Sequence, residues 1–322
     1  MIDVVMFDDT NAWSPSLNAR GRSGKGVGGF EVFQVQIATW LASKGYKVVA
    51  YRPSLIEGEE MGVDYRDSRE VPAAFRTECR ALITARHAQI PEWVKAQRTV
   101  TSAVDDPRFC DEKYDHLIGR STICCLSEWQ AGLYRAMGHE CTVIPSMLDD
   151  YIYEMKRHPL ASGWVCVNAW NKGTEETLKL WVELKSSHPD IGELSVGTPY
   201  GAPDDALDQC RRAGARWLGQ LTPVQIVRAL AGAEAVFRVC KQPETFGVTD
   251  AIAEVLGLDV HMLVKGEMGA SRDVLCSPWV TSNPVTFAAG VAGMVERPPR
   301  INTLDYRVST IMPRWLTLLG LE

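Results

Sequence analysis

One pattern constrains this chain more than any other, and it runs twice: short β-branched segments alternate with longer amphipathic ones. In the first half, "DVVMF" leads into a glycine-rich loop. "EVFQVQIATWLASKG" then spaces Val32, Val35, Ile37, Trp40 and Leu41 along one helical stripe. Gly45 stands where a helix C-terminus needs positive φ, and "YKVVAYRP" follows as a strand. Strand, helix and strand in that order make a βαβ unit, whose parallel strands call for a right-handed crossover. "CRALITAR", "RTVTSAVDD", "STICCLS" and "CTVIPS" continue as strands.

The pattern restarts after "YEMKRHPLAS". "GWVCVNAW" reads as a strand, "TEETLKLWVELKSSHP" as an amphipathic helix and "GELSVGTPYG" as the next strand. "ARWLGQL" and "EAVFRVC" bracket the helix "TPVQIVRALAGA", which Thr222 and Pro223 open in cap and first-turn positions; "VHMLVKG" closes the series. The pattern predicts α/β architecture with two Rossmann-like doubly wound domains, 1–155 and 156–322, and a linker near 148–160. In such folds ligands collect outside the carboxyl ends of the strands.

Length and composition fit that division. A chain of 322 residues has room for two cores, and 46% hydrophobic with 23% charged residues is ordinary for a globular protein. The net charge of −6 disfavours a generic polyanion binder. No apolar run reaches the ~18–20 residues that span a bilayer. "MIDVVMFDD" lacks a basic leader and reads as a first strand, so a cytoplasmic protein with no transmembrane segment is expected. The 9 cysteines form no C-x-x-C pair and read as buried reduced thiols. No His/Cys/Asp cluster has metal-ligand spacing and no D-x-D occurs, so no metal and no cofactor are expected.

Four segments together resemble the retaining, nucleotide-sugar-dependent glycosyltransferases of the two-Rossmann-domain (GT-B) class, and more narrowly the family 4 group. They are "GKGVGGFEVFQVQIATWLASKGYKVVAYRP", "CCLSEWQAGLYRAMG…CTVIPS", "VCVNAWNKGTEETLKLWVELKSSHPD" and "PETFGVTDAIAEVLG", the last resembling the group's E-x-F-G-x-x-x-x-E segment. The resemblance implies an acceptor-binding N-terminal domain and a donor-binding C-terminal domain facing a cleft. The last helix can cross back to the first domain. It also implies a nucleotide-diphosphate sugar as donor substrate, with UDP-sugars expected, and transfer to an acceptor hydroxyl with retention.

On that resemblance each motif acquires a task. Lys172 in "NAWNKG", between a strand and a helix, neutralises the donor diphosphate. Where the family carries an arginine shortly before this lysine, Asn168 stands here as a neutral donor, and Arg238 and Lys241 are the cations that can complete the set. Glu244 corresponds to the glutamate that contacts the donor sugar. Phe246, Gly247 and Val248 open a helix whose unpaired N–H groups suit an anion. The family's second glutamate falls at Ile252. Asp250 and Glu254 flank it about 200° round an ideal helix and share a different face.

The N-terminal half is read more from its own residues. "GRSGKGVGGFE" fails as a P-loop, with Ala19 at the first glycine and Gly26 at the Ser/Thr. Gly28 and Gly29 instead permit close backbone approach to a donor phosphate, beside Arg20, Arg22 and Lys25 as acceptor contacts. Asp105 in "VTSAVDDPRF" is a candidate acceptor base and Asp106 an acceptor contact; His87, with Arg86, ends another strand and is a second catalytic candidate. The acceptor is either a saccharide or lipid-linked glycan, or modified DNA. Compact phage-type enzymes of this fold act on a hydroxymethylated base, and the basic "NARGRSGKG" loop could meet its backbone. Loss of the second glutamate leaves an inactive sugar- or nucleotide-binding module as a further alternative.

Overall fold

A computed structural model of the protein describes residues 1–9, 29–53, 57–72, 74–85, 90–103, 106–109, 116–157, 163–275, 280–291, 293 and 305–322, the side chains of 272 and 273 excepted. The chain divides into two compact units. The first holds Gly29–Met147 together with the N-terminal strand and Asp305–Glu322, and the second holds Leu148–Leu304.

The first unit contains β1 (Ile2–Phe7), α1 (Gly29–Ser43), β2 (Val48–Arg52), β3 (Gly58–Glu60), β4 (Val63–Asp67), β5 (Thr77–Ala85), β6 (Val94–Ser102), β7 (Thr122–Cys125), α2 (Glu128–Ala136) and β8 (Cys141–Val143). The sheet order is β3-β4-β2-β1-β5-β6-β7-β8, and every pairing is parallel except β3 with β4. Val4, Val5 and Met6 on successive positions of β1 are all fully buried, as expected for a parallel strand covered on both faces. The buried face of α1 differs from the predicted stripe. Phe30, Phe33, Ile37, Ala38 and Leu41 turn inward, and Val32, Val35 and Trp40 lie at its margins. The large ring of Phe33, packed on Trp315 at 5.9 Å, sets the rotation of the helix. Burying a side chain of this size contributes about 1.5–3 kcal/mol.

The second unit runs through α3 (Tyr151–Glu154), β9 (Gly163–Val167), α4 (Thr174–Ser187), β10 (Glu193–Thr198), α5 (Ala206–Arg212), β11 (Arg216–Gln220), α6 (Pro223–Ala231), β12 (Ala235–Cys240), α7 (Val248–Val255), β13 (Asp259–Val264), α8 (Ser271–Val274), β14 (Val280–Thr281) and α9 (Pro284–Val291). All its strand pairs are parallel, in the order β11-β10-β9-β12-β13-β14. The chain therefore starts at the centre, moves outward to β11, and returns to place β12 beside β9. This is the Rossmann order, with its reversal point between β9 and β12. Trp181 of α4, Phe237 of β12 and Phe287 of α9 form the aromatic centre of the core, with ring centroids 5.3 and 5.4 Å apart. The predicted start of α6 is present as a capping box: Thr222 Oγ1 accepts from Gln225 N, and Gln225 Oε1 accepts from Thr222 N.

After the second unit the chain rejoins the first as α10 (Val308–Leu319), which buries Ile311, Met312, Trp315 and Leu319. Arg98 of β6 donates to the carbonyls of Thr317 and Leu318, the ones a helix end leaves unpaired. Two Rossmann-like α/β units are thus present, as the doubled pattern predicts. Seven cysteines lie among the described residues, all as free thiols, six of them buried. Burial pushes Cys79, Cys210 and Cys240 up to about 11. No helix among the described residues is long and apolar enough to cross a membrane.

Candidate functional site

β9 and β12 are neighbours, so the loops leaving their carboxyl ends meet at the reversal point of the sheet. After β9 the chain passes Asn168 and Ala169, makes a 3₁₀ turn over Trp170–Lys172, and enters α4 through Gly173. Gly173 has a φ of 125°, and a Cβ on it would stand 2.4 Å from the Val239 carbonyl oxygen. Only glycine lets this loop press against β12. Hydrogen bonds then fix the contact. Asn168 Nδ2 donates to Val239 O (3.4 Å), and Lys241 N donates to Lys172 O (3.0 Å). Thr177 Oγ1 donates to Gly173 O (2.8 Å) and accepts from Val239 N (2.9 Å).

The result is a charge pair. Lys172 Nζ donates to Glu244 Oε2 at 3.1 Å, with the lysine side chain 32% exposed and the glutamate side chain 10%. The Glu244 charge holds Lys172 above its ordinary value against the opposing effect of burial. Burial acts to raise Glu244, but the charges of Lys172 and Arg238 outweigh it and hold the carboxyl below its ordinary value. Both partners are therefore ionised. The backbone of Glu244 is fixed separately, by a bridge to Gly269 and a bond from Ala270 N to Glu244 O (2.8 Å). A Cβ on Gly269, whose φ is 58°, would lie 2.6 Å from that oxygen.

α7 begins at Gly247, its N-cap, with a φ of 81°. A side chain there would meet Asp250 Oδ2 at 2.6 Å, because the Asp250 carboxylate folds back toward the helix start. It receives the Arg238 guanidinium in a pair whose side chains are 2% and 1% exposed. Burial pushes Asp250 up to about 7, although the Arg238 charge pulls it down. Lys241, half exposed, pairs with Glu176 in the first turn of α4 at 3.0 Å.

The structure thus gathers Lys172, Asn168, Lys241, Glu244, Phe246, Gly247 and Val248 around the ends of β9 and β12. Lys172, Lys241 and the start of α7 present groups there. The Asn168 amide is turned to β12, and the Phe246 ring is buried at 2% exposure. Arg238 belongs to the same neighbourhood but keeps its guanidinium inside, on Asp250. Ile252 is buried on α7, and so is Glu254. In the first unit, Gly29 is the exposed first residue of α1. Asp106 is buried with its carboxylate bound by Arg108 Nε and Nη2 at 2.9 and 2.6 Å. Gly28, Arg20, Arg22, Lys25, Arg86, His87 and Asp105 lie outside the described residues.

Two residues of this site carry no weight in the motif reading: Gly269, and Asp250 as the partner of Arg238. The signal for the last was legible, since an arginine inside the apolar strand "AVFRVC" demands a buried acid. Among the described residues no three His, Cys, Asp or Glu side chains gather as metal ligands.

No family model matches the sequence, and no curated protein matches it in sequence. Solved structures do match in fold. HepE of Anabaena, solved with UDP-glucose, superposes with a TM-score of 0.66 at 12% identity, over 99% of this chain and 100% of that one. AviGT4, a glycosyltransferase involved in avilamycin A biosynthesis, gives 0.60 at 14% identity over 99% and 97%. WaaG, a glycosyltransferase involved in lipopolysaccharide biosynthesis, gives 0.60 at 12% over 98% and 99%. The chain has the fold of these enzymes over nearly its whole length.

Proposed function

We propose that the protein is a retaining glycosyltransferase that moves a sugar, from UDP or a related nucleoside diphosphate, to an acceptor hydroxyl. The observation that carries this reading is the ionised Lys172–Glu244 pair at the reversal point of the second sheet. A lysine ammonium has three N–H donors, and one goes to Glu244. The other two are available to a diphosphate, where they stabilise the charge that grows as the bond from the anomeric carbon to the leaving oxygen breaks. Glu244, a fixed acceptor beside that lysine, receives hydrogen bonds from sugar hydroxyls. The acceptor oxygen forms the new bond to the anomeric carbon as the bond to the nucleoside diphosphate breaks, and its proton passes to an oxygen of the departing diphosphate. Lys241 and the start of α7 add positive potential nearby, and Arg238 contributes through its field on Glu244 rather than by contact. This set of groups offers a cationic clamp where other transferases place a metal ion. HepE of Anabaena, of the same fold, was solved with UDP-glucose, which supports a UDP-sugar as donor here.

The test is turnover of UDP-sugars, by hydrolysis or transfer, in Lys172→Ala and Glu244→Ala. Unchanged activity in both would sink the assignment. Titration of UDP into the Lys172→Ala protein then separates loss of donor affinity from loss of chemistry.

A further inference from the structure

The first unit contains a cavity of about 420 Å³ that none of the motifs touches. Its volume falls in the ~300–1,000 Å³ range of small-ligand pockets. Phe7, the last residue of β1, forms one wall; Trp93, just before β6, forms another; His116 and Arg120, ahead of β7, face them; and Asp9 and Glu92 complete the polar rim.

Two properties mark this as a built site. The aromatic wall is preorganised: Trp93 packs edge-on against Phe7 (5.9 Å), Tyr51 (4.6 Å) and Phe75 (5.6 Å), so its ring cannot turn away. The polar groups, in contrast, are unengaged. The side chains of Asp9, Glu92, His116 and Arg120 make no hydrogen bond or ion pair with another described residue, and the Nε2 of His116 is buried with no partner among them. The buried His116 Nε2, beside one fixed apolar surface, leaves its hydrogen bond to a ligand, and the solvent-facing Asp9, Glu92 and Arg120 can exchange water for ligand hydroxyls.

We propose that this cavity binds a neutral saccharide ring. The carboxylates of Asp9 and Glu92 accept from hydroxyls, Arg120 donates to ring or hydroxyl oxygens, and the C–H face of the sugar lies on Trp93. Among the described lining residues two carboxylates face a single arginine, so a phosphodiester backbone would meet net repulsion from them at the rim. If the protein transfers a sugar as argued above, the acceptor is then a saccharide and not DNA; that last step rests on the reading of the second unit, and the binding itself does not.

The experiment is calorimetric titration of lactose, maltose and cellobiose, and separately of a duplex oligonucleotide containing 5-hydroxymethylcytosine, into the full chain. At least one disaccharide is expected to bind saturably. Asp9→Asn and Glu92→Gln, both on exposed side chains, are expected to weaken it about tenfold each, with melting temperature unchanged. Absence of saturable binding by all three disaccharides, binding unaltered in both variants, or binding of the duplex that both variants abolish would overturn the proposal. UDP titrated into the same proteins reports on the second unit alone. Failure of UDP to bind would end the UDP-sugar reading of the second unit and leave the saccharide result standing.

Discussion

Arg238, on β12, donates from Nη2 to the carboxylate of Asp250 in the first turn of α7, and both side chains are shut off from water. Removing one partner of such a pair strands the other charge, at a cost of about 3–5 kcal/mol. Arg238→Met and Asp250→Ala are each expected to lose stability on that scale in urea unfolding. The double variant Arg238→Met/Asp250→Leu should recover most of it. Losses that simply add would show that the two residues do not act as a pair.

The same carboxyl gives the fold a pH signature. Asp250 titrates at an ordinary value of 3.8 when unfolded and at about 7 when folded. Its contribution to stability is therefore fully present below 3.8 and is lost as pH rises through about 7. The stability of the native protein relative to Asp250→Asn should fall steadily from pH 4 to pH 7. Glu244 runs the other way: its folded value is depressed, so its contribution is present above 4.5 and is lost as pH falls through the folded value. Urea unfolding at a series of pH values, on both single variants, separates the two slopes.

Lys172→Ala is expected to lower kcat about 10²–10³-fold, the usual effect of removing one preorganised group from developing charge. It also strands the Glu244 carboxylate, so a melting curve belongs beside the kinetics. Lys172→Arg keeps the charge and should restore stability more fully than turnover.

Gly269→Ala tests whether the backbone of Glu244 matters to its position. The new methyl would meet Glu244 O at 2.6 Å and sit on a residue of positive φ. A stability loss of about 1–3 kcal/mol is expected, accompanied by reduced turnover. Lost stability with full activity would show that Glu244 does not depend on this support.

Met61 offers a change in the opposite direction. It is a non-glycine residue of positive φ, 52°, at the exposed turn between β3 and β4. Met61→Asn should raise stability by about 0.5–1 kcal/mol, seen as a higher melting temperature.

That turn also shows where sequence stops being informative. Met61 and Gly62 both take positive φ, as a two-residue hairpin turn requires, yet methionine in the first position hides the signal that Asn-Gly would give. The hairpin of β3 and β4 is therefore the part of the first sheet that pattern alone misses. The alternation of β-branched and amphipathic runs, by contrast, predicts the parallel strands of both units other than β4 and the two-residue β14, because period and length separate them. At the site, "NKG" and "ETFG" announce Lys172 and Glu244, since loop chemistry at strand ends is local. Gly269 is silent in sequence because its necessity comes from backbone brought close by the fold. The face of α1 turns on Trp315, far along the chain, which local periodicity cannot register.

The return of α10 to the first unit has a temporal meaning. Trp315, Met312 and Leu319 complete the core around α1, yet they are made after everything in Leu148–Leu304. On the ribosome, the unit whose synthesis starts later has all of its strands before the earlier one has its last helix. The first sheet must therefore wait, with the Phe33 side of α1 uncovered, while its successor becomes able to fold.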